Sequence, residues 1–184
     1  MLRLREFSPR DEAAVLALFD SNVPTFFRPH EREEFASFLD DPRCDYLVLE
    51  QDDEIVGAGG SFVRAHVGHG VLCWGMIRRE AHRRGYGRRL LLARLASLAR
   101  VPDIDRVMLD TSQLCRGFFE RMGFRVLRVT PDAYGAGLHR HDMALDLTPA
   151  RRRALSRLWT GAVVRFDHEP LGTLPPVHEL AVPA

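Results

Sequence analysis

Glycine and arginine are spaced through residues 76–88 in a way that suits phosphate binding. The segment connects a predicted strand to a predicted helix. Such a turn directs free backbone N–H groups and the positive end of the helix dipole toward one point, where a pyrophosphate can bind. Gly85 and Gly87 allow close approach of the backbone, and the nearby arginines, which can add charge-assisted contacts, are Arg83, Arg84, Arg88 and Arg89. The segment predicts an anion site, and the alternative is a glycine-tightened joint with solvated arginines.

Two common phosphate-binding loops are excluded. A dinucleotide fingerprint needs a third spaced glycine in a parallel strand–helix–strand repeat, whereas the strands upstream of Gly85 are predicted to form a hairpin. A P-loop needs a lysine, and all 26 residues counted as Lys or Arg are arginine. The phosphate hypothesis therefore requires another kind of loop.

The elements that would position this segment alternate in type along the chain. Apolar residues with a period of two predict strands, and apolar residues on one side of a helical repeat predict helices. The predicted strands are 2–7, 46–50, 55–64, 71–77, 106–110, 125–130 and 141–147, and the predicted helices are 8–22, 30–39, 86–100, 115–121 and 148–159. The order β-α-α-β-β-β-α-β-α-β-β predicts an α/β (α+β mixed) fold, with a central mixed, mostly antiparallel sheet and helices on both faces.

Composition is that of a globular protein with one main domain. The 184 residues carry a formal net charge of +1, so neither nucleic acid nor an anionic membrane is an expected partner. Residues 1–147 are predicted to form the domain, and 148–184 a C-terminal helix and tail of unknown function. Neither a signal peptide nor a membrane-spanning stretch is recognisable, so we expect a cytoplasmic location. The cysteines, Cys44, Cys73 and Cys115, have no metal-ligand spacing and predict neither a metal site nor a disulfide framework.

Two motifs, in this order, resemble those of the GCN5-related N-acetyltransferase (GNAT) family. The family's cofactor motif contains a valine, a glutamate and a glycine pair, and these positions are matched here by Ile77, Glu80, Gly85 and Gly87. A second motif, an aromatic pair followed by Glu-x-x-Gly-Phe, is matched by residues 118–124. The order of elements is also similar over residues 2–147.

The resemblance implies the acyl-CoA N-acyltransferase fold, with its sheet splayed at the cofactor site, and acetyl-CoA as co-substrate. The backbone near Met76 and Ile77 would pair with the pantetheine arm, and the amides of residues 83–88 would bind the pyrophosphate. Ser112 stands at the position of a family asparagine that contacts the cofactor. The cofactor-binding residues that the resemblance implies are Met76, Ile77, Arg83, Arg84, Gly85, Tyr86, Gly87, Arg88 and Ser112.

Phe119 departs from the family pattern. Many family members have a tyrosine at this position, which protonates the departing CoA thiolate, and phenylalanine has no proton to donate. A thiol has a pKa of about 8.5, so the thiolate is a tolerable leaving group and water or another residue can supply the proton. The alternative is that Phe119 is an ordinary core residue.

Other residues are candidates for proton transfer or for the acceptor site. Asp110 follows a strand and can act as a base, or it can cap a helix. Tyr134 and His141 lie in or beside the last hairpin, which borders the acceptor side in the resembling fold; their alternative is a structural or surface role. Phe26 and Phe27 either line an acceptor pocket or plug the core.

These observations predict transfer of an acetyl group from acetyl-CoA to a primary amine by direct attack. The acceptor is expected to be a small-molecule amine or a peptide, with no metal, nucleic acid or membrane involved, and a homodimer remains open. One alternative is a non-catalytic module of the same fold that binds acyl-CoA. Another is a regulatory protein whose basic C-terminal helix binds a partner.

Overall fold

The computed structural model describes residues 1–40, 42 and 44–158, together with the backbone of residues 164–165. Its sheet has eight strands in the order β6-β7-β5-β4-β3-β2-β1-β8. The strands are β1 (Leu2–Glu6), β2 (Asp45–Gln51), β3 (Glu54–Arg64), β4 (His69–Ile77), β5 (Arg106–Ser112), β6 (Arg125–Thr130), β7 (Arg140–Asp146) and β8 (Val164–Arg165). The helices are α1 (Glu12–Asn22), α2 (Glu31–Asp40), α3 (Tyr86–Leu98), α4 (Gln113–Arg121) and α5 (Pro149–Arg157). The predicted mixed fold with a mostly antiparallel sheet is confirmed.

Helices cover both faces of this sheet. Adjacent residues of a strand point to opposite faces, and in β3 a Cβ atom on Gly60 would contact Tyr46, whereas one on Gly59 would contact Arg94 of α3. Tyr46 packs against Phe35 of α2, so α2 lies on the face opposite α3. One core cluster fills the space under α1 and α2, and another joins α3 to β5 and β7.

The sheet opens between β4 and β5. These two strands run parallel and pair only from 69 to 71 with 106 to 108. β4 continues to Ile77, while β5 leaves it and stays paired with β7 as far as Ser112. The carboxyl ends of the two strands are therefore splayed apart, as the resemblance implied.

A bulge in β4 accompanies the opening. The register between β3 and β4 shifts between Ala58 and Gly60, which leaves one extra residue on β4. Trp74 takes a φ of 42° there, a left-handed conformation that is uncommon for a bulky side chain, and its carbonyl oxygen accepts a hydrogen bond from the hydroxyl of Tyr46 at 3.1 Å. Because a bulge bends and twists its strand, it helps to turn β4 away from β5.

Arg94 of α3 fills the space beneath this bulge. Its guanidinium occupies the volume that side chains would need on Gly59 and Gly75, where a Cβ atom would lie 2.7 and 2.8 Å from the nearest nitrogen. The same group donates to the carbonyl oxygens of Gly60 and Leu90, each at 3.4 Å. Burial lowers the pKa of Arg94 to about 10, so the side chain is a cation at neutral pH. A buried positive charge therefore lies under the splayed part of β4.

The helix that follows residue 147 packs on the same core as α3. Leu155 is fully buried in the cluster that contains the apolar residues of α3, and Arg152 donates to the carbonyl oxygens of Ala99 and Val101, both at 2.6 Å. The predicted tail lies outside the described residues, except for the backbone of β8. Among the described residues, no helix combines the length and apolar character that crossing a membrane would need.

Candidate active site

The glycine-rich segment lies at the open end of β4. A short 3-10 turn, Arg79–Ala81, leads from the strand into a loop in which Arg83 has a φ of 62° and Gly85 a φ of 82°. Gly85 caps α3, and its carbonyl oxygen accepts a hydrogen bond from the N–H of Arg89 at 3.2 Å. The backbone N–H groups that precede Arg89 in the first turn of a helix have no acceptor within that helix, so they point outward from its N-terminal end. The backbone geometry fits the predicted anion site.

The side chains of this segment divide between core and surface. Tyr86 and Met76 are buried in the two clusters that flank the sheet, so only their backbone groups are available to a ligand. Arg83 and Arg84 are exposed, and Arg88 is partly exposed. The arginines can therefore reach a phosphate from solvent, whereas Tyr86 and Met76 position the loop from below.

The carbonyl group of Ile77 faces the opening and is already hydrogen-bonded within the protein. The N–H of Arg78 donates to Val56 in β3 at 2.9 Å, so the backbone groups of Ile77, one residue earlier, point away from β3. The side-chain amide of Asn22 and Nε2 of His82 each lie 2.9 Å from the Ile77 carbonyl oxygen, which can only accept. A pantetheine arm at this edge would therefore pair with the N–H of Ile77.

Phe26 and Phe27 have different surroundings, although the same role was predicted for both from the sequence. Phe27 stacks on Phe19, with 4.8 Å between ring centroids, and packs against Trp74 at 6.1 Å. Phe26 instead meets His82 edge to face at 5.4 Å. Phe27 thus packs against the core cluster while partly exposed, whereas Phe26 lies against the glycine-rich loop.

On the other side of the opening, Tyr134 and Asp110 are in direct contact. The hydroxyl of Tyr134 donates a hydrogen bond to the carboxylate of Asp110, and Arg140 approaches the same carboxylate at 3.7 Å. Burial, followed by the neighbouring carboxylate, raises the pKa of Tyr134 well above its ordinary value. Tyr134 therefore stays protonated at neutral pH. Asp110 lies within β5 and makes this contact instead of capping α4, which begins after Ser112.

Arg28 connects the loop between α1 and α2 to the segment that carries Tyr134. Its guanidinium donates to the carbonyl oxygen of Tyr134 at 3.4 Å and to that of Ala136 at 3.2 Å. The backbone N–H of Arg28 is itself bonded to Glu31 at 2.6 Å. The two segments that were expected to flank an acceptor are therefore in direct contact.

His141 lies apart from this pair. It stands opposite Thr111 in the β5/β7 register, one position along from Asp110, and adjacent residues of a strand point to opposite faces. His141 is 4% exposed, and within the described part of the chain its Nδ1 has no hydrogen-bond partner. The structure thus brings Tyr134 and Asp110 together and places His141 on the face covered by α4.

Phe119 lies on α4, and Ser112, at the position of the family asparagine, immediately precedes this helix. Phe119 meets Phe118 at 5.0 Å and Phe124 at 5.7 Å between ring centroids, and it packs against the α3 cluster while partly exposed. Ser112 is 6% exposed at the start of α4. A Cβ atom on Gly87 would lie 3.7 Å from Phe118, so α4 reaches the beginning of α3 across the opening.

Comparison of the sequence with known protein families identifies the family to which the chain belongs. The profile of the acetyltransferase (GNAT) family matches residues 15–124, from α1 to the end of the second motif. The chain belongs to the GNAT acetyltransferase family. The resemblance inferred from the two motifs is confirmed, and acetyl transfer is the general activity of the family. Comparison with curated protein sequences gives no match.

Solved GNAT structures have the same fold as this chain. A GNAT-family protein from Desulfovibrio desulfuricans is 23% identical with a TM-score of 0.68, over 80% of this chain and 100% of that one. The ribosomal-protein-S18-alanine N-acetyltransferase from Escherichia coli is 17% identical with a TM-score of 0.68, over 82% and 96%. The yncA protein of Salmonella typhimurium, solved with its cofactor acetyl-CoA, is 16% identical with a TM-score of 0.63, over 80% and 95%. At these identities the likeness shows the fold.

Three residues of this GNAT site were missed in the sequence. Asn22 was treated only as the end of a helix, although an asparagine before Val-Pro in a last helical turn is a candidate for a buried polar contact. Arg28 belongs to a loop without a recognisable pattern. Arg94 lies in the predicted helix 86–100, where an arginine is expected on the exposed side, and the signal for its burial is the glycine content of β3 and β4, the strands that face it.

Substituting Phe119 by tyrosine tests whether this position still borders the reaction site. Because the ring is partly exposed and nearly preserved in volume, Phe119→Tyr should fold with a melting temperature within a few degrees of the wild type, and acetyl transfer should be kept or raised. Phe124→Tyr is the matched control: Phe124 is 3% exposed, and a buried hydroxyl without a partner costs about 1–3 kcal/mol. If both variants lose the same stability, Phe119 is a buried core residue, and the hypothesis that position 119 borders the reaction site is wrong.

Proposed function

We propose that this protein transfers an acetyl group from acetyl-CoA to a primary amine by direct attack of the amine on the thioester. The observation that carries the proposal is the opening between β4 and β5, which ends at the loop around Gly85. A ligand in this opening would meet outward-facing backbone groups along β4 and the helix N-terminus at its end. These are the two features that a thioester on a long diphosphate-bearing arm requires.

The residues of the loop fit the diphosphate of such a donor. The amides of residues 83–88 would bind its oxygens, and the exposed side chains of Arg83 and Arg84 would add charge-assisted contacts. The N–H of Ile77 would hold the pantetheine arm, because the carbonyl of the same residue is already bonded to Asn22 and His82. The donor supplies an activated acetyl group, and the protein orients it toward the acceptor.

The Tyr134–Asp110 pair would handle the proton of the acceptor. An alkylammonium ion must lose a proton before its nitrogen can attack, and a carboxylate within reach can take it. Tyr134 holds Asp110 through its hydroxyl, and Arg28 holds the backbone of Tyr134. Asp110 takes this first proton and releases it to solvent before the attack. As the C–N bond forms and the C–S bond breaks, the second nitrogen proton passes to Asp110. The thiolate takes its proton from water, because Phe119 has none to donate.

A second candidate function is supported by Phe119. Its ring packs between two other phenylalanines, which suits a module of the same fold that binds acyl-CoA without turnover. Asp110 and Tyr134 would then be structural. The two functions make different predictions for acetyl-CoA in the presence of amines.

The experiment that separates them measures release of free CoA thiol from acetyl-CoA with a panel of small, apolar, peptide and polycationic amines. Mass spectrometry of the acetylated amine confirms each hit, and acetyl-CoA without amine corrects for hydrolysis. We expect turnover with small or partly apolar primary amines. Binding of acetyl-CoA without turnover across the panel would support the binding module, and failure to bind acetyl-CoA would contradict both functions.

A further inference from the structure

Two cysteines meet above a glycine in the middle of the sheet. Cys44 immediately precedes β2 and Cys73 belongs to β4, and β3 runs between these strands. Their sulfur atoms are 3.9 Å apart. A Cβ atom on Gly60 of β3 would lie 2.8 Å from each sulfur. The absence of a side chain on Gly60 is therefore what allows the two thiols to approach each other.

The thiols lie on the same face of the sheet as the proposed acceptor site. Gly60 and Tyr46 define that face, which α1 and α2 cover. In the parallel pair, Val71 of β4 stands beside Met108 of β5, so two residues further on Cys73 is level with Asp110. The negative charge of Asp110 acts on Cys73 across the opening and raises its pKa. The cysteine pair thus borders the gap on the side opposite the Tyr134–Asp110 contact.

The electrostatic surroundings favour one thiolate in the pair. The hydrogen bond with Cys44 is the largest cause and lowers the pKa of Cys73; the positive charge of Arg94 adds to this effect, whereas burial and the charge of Asp110 oppose it. The same contact and burial raise the pKa of Cys44 well above its ordinary value. One thiolate beside one thiol is the form that reacts with oxidants, since the thiolate is the nucleophile and the neighbouring thiol can resolve its first oxidation product. Burial instead raises the pKa of Cys115.

The pair is also accessible from solvent. Both cysteines are partly exposed. A surface hollow of about 190 Å³ reaches Cys44, and its lining residues are Glu6, Phe7, Pro42, Cys44, Asp45 and Tyr46. A peroxide or a small thiol can therefore reach the sulfur of Cys44, and the sulfur of Cys73 lies 3.9 Å from it.

We propose that Cys44 and Cys73 form a reversible disulfide that controls acetyl transfer. A peroxide oxidises Cys73 to the sulfenic acid and is itself reduced to water or an alcohol. The thiol of Cys44 then displaces water from the sulfenic sulfur, and the S–S bond forms with the loss of two hydrogens from the protein overall. A dithiol reductant returns both thiols and is oxidised to its own disulfide.

The S–S bond requires the backbone next to the opening to move. β3 lies between the two cysteines, and strands two apart in a sheet are about 9.5 Å from each other, whereas a disulfide spans about 4.4–6.8 Å between Cα atoms. The sulfur atoms must approach from 3.9 Å to about 2.05 Å. Cys44 precedes Asp45, the first paired residue of β2, whereas Cys73 is fixed in β4 directly before the bulge at Trp74. Closing the bond pulls this part of β4 toward β2. The effect on turnover rests on the proposed function, and a displacement of about 1 Å in a reaction site can cost about 100-fold in rate.

The chemical test uses the full chain, reduced and then treated with hydrogen peroxide in slight excess. Intact mass should fall by two hydrogens, and digestion should yield one cross-linked pair of peptides, containing Cys44 and Cys73. Dithiothreitol should restore the mass. Cys115→Ser should behave like the wild type, whereas Cys44→Ser and Cys73→Ser should gain oxygen or stay unchanged. Oxidation that leaves the two peptides unlinked, or that involves Cys115 equally, would overturn the pair.

The functional test compares oxidised and reduced protein. Acetyl transfer should fall about tenfold or more on oxidation and return with dithiothreitol in wild type and Cys115→Ser, while Cys44→Ser should not respond reversibly. Equal rates for the cross-linked and reduced proteins would overturn control of transfer while leaving the disulfide established. If no amine is acetylated even by reduced protein, the proposed function fails. In that case the affinity for acetyl-CoA is compared between oxidised and reduced protein. An unchanged affinity would overturn the proposal that the disulfide exerts control.

Discussion

Replacing Gly85 by valine should raise the Kd of acetyl-CoA by about 100-fold or more, a loss of about 2.7 kcal/mol. Gly85 has a φ of 82°, and a β-branched residue in that conformation is strained by about 1–3 kcal/mol. Relief of this strain would rotate the loop and turn its amides away from a diphosphate. Titration calorimetry with acetyl-CoA measures the effect directly.

A matched control separates loss of the ligand site from loss of stability. Gly68 also has a positive φ, of 65°, but lies between β3 and β4 at the opposite end of the opening. Gly68→Val should therefore be destabilised by a similar amount and keep its affinity for acetyl-CoA within about threefold. Equal loss of affinity in both variants would mean that general destabilisation, and not the loop, explains the result.

Gly87→Ala provides a second, independent variant of the loop. A Cβ atom at this position would meet Ile77 at 3.6 Å and Phe118 at 3.7 Å, which are ordinary contacts, and alanine in a helix is about 1 kcal/mol more favourable than glycine. The variant should be as stable as the wild type or more stable, yet bind acetyl-CoA more weakly, because the methyl group enters the mouth of the opening. Arg83→Ala should cost less, since amides provide most of the binding. Unchanged affinity in both glycine variants would contradict the cofactor assignment.

Local signals explain why much of the fold was predictable from the sequence. The segment from Met76 to Gly87 carries its strand, its turn residues and its helix start within a short stretch, so position and role follow from adjacent residues. The hairpin between β2 and β3 is similar, because Asp52 and Asp53 both take a positive φ in the turn. Elements of this kind are decided by neighbours along the chain.

Contacts between distant residues explain what the sequence did not reveal. The bulge at Trp74 lies over Arg94, which comes from a helix and fits because two strands carry glycine where it lies. The Tyr134–Asp110 contact joins residues 24 positions apart and depends on the register of β5 with β7. That register also places His141 on the other face, since a shift of one residue exchanges the faces of a strand. No pattern of residue types along one strand contains this information.

Removing the hydroxyl of Tyr134 should slow acetyl transfer without weakening acetyl-CoA binding. In Tyr134→Phe the ring is kept, so the contact with Arg28 through the backbone should remain, while Asp110 loses its hydrogen-bond donor. We expect kcat/KM for the acceptor to fall about tenfold or more, a loss of about 1.4 kcal/mol in transition-state stabilisation. The affinity for acetyl-CoA should stay within about threefold, because the pair lies across the opening from the loop.

Asp110→Asn should have a larger effect than Tyr134→Phe, because an amide cannot accept the amine proton although it keeps the size and most hydrogen bonds of the carboxylate. Proton transfer by a positioned side chain contributes about 10²–10⁴-fold to a rate, so we expect a loss of about 100-fold in turnover. His139→Ala is a suitable control, because its imidazole bonds the backbone N–H of Asp132 in the same segment without touching the pair. Its turnover should remain near that of the wild type.

If Tyr134→Phe and Asp110→Asn both turn over acceptor at the wild-type rate, the proton is transferred to another group. The buried His141 would then be the next residue to replace.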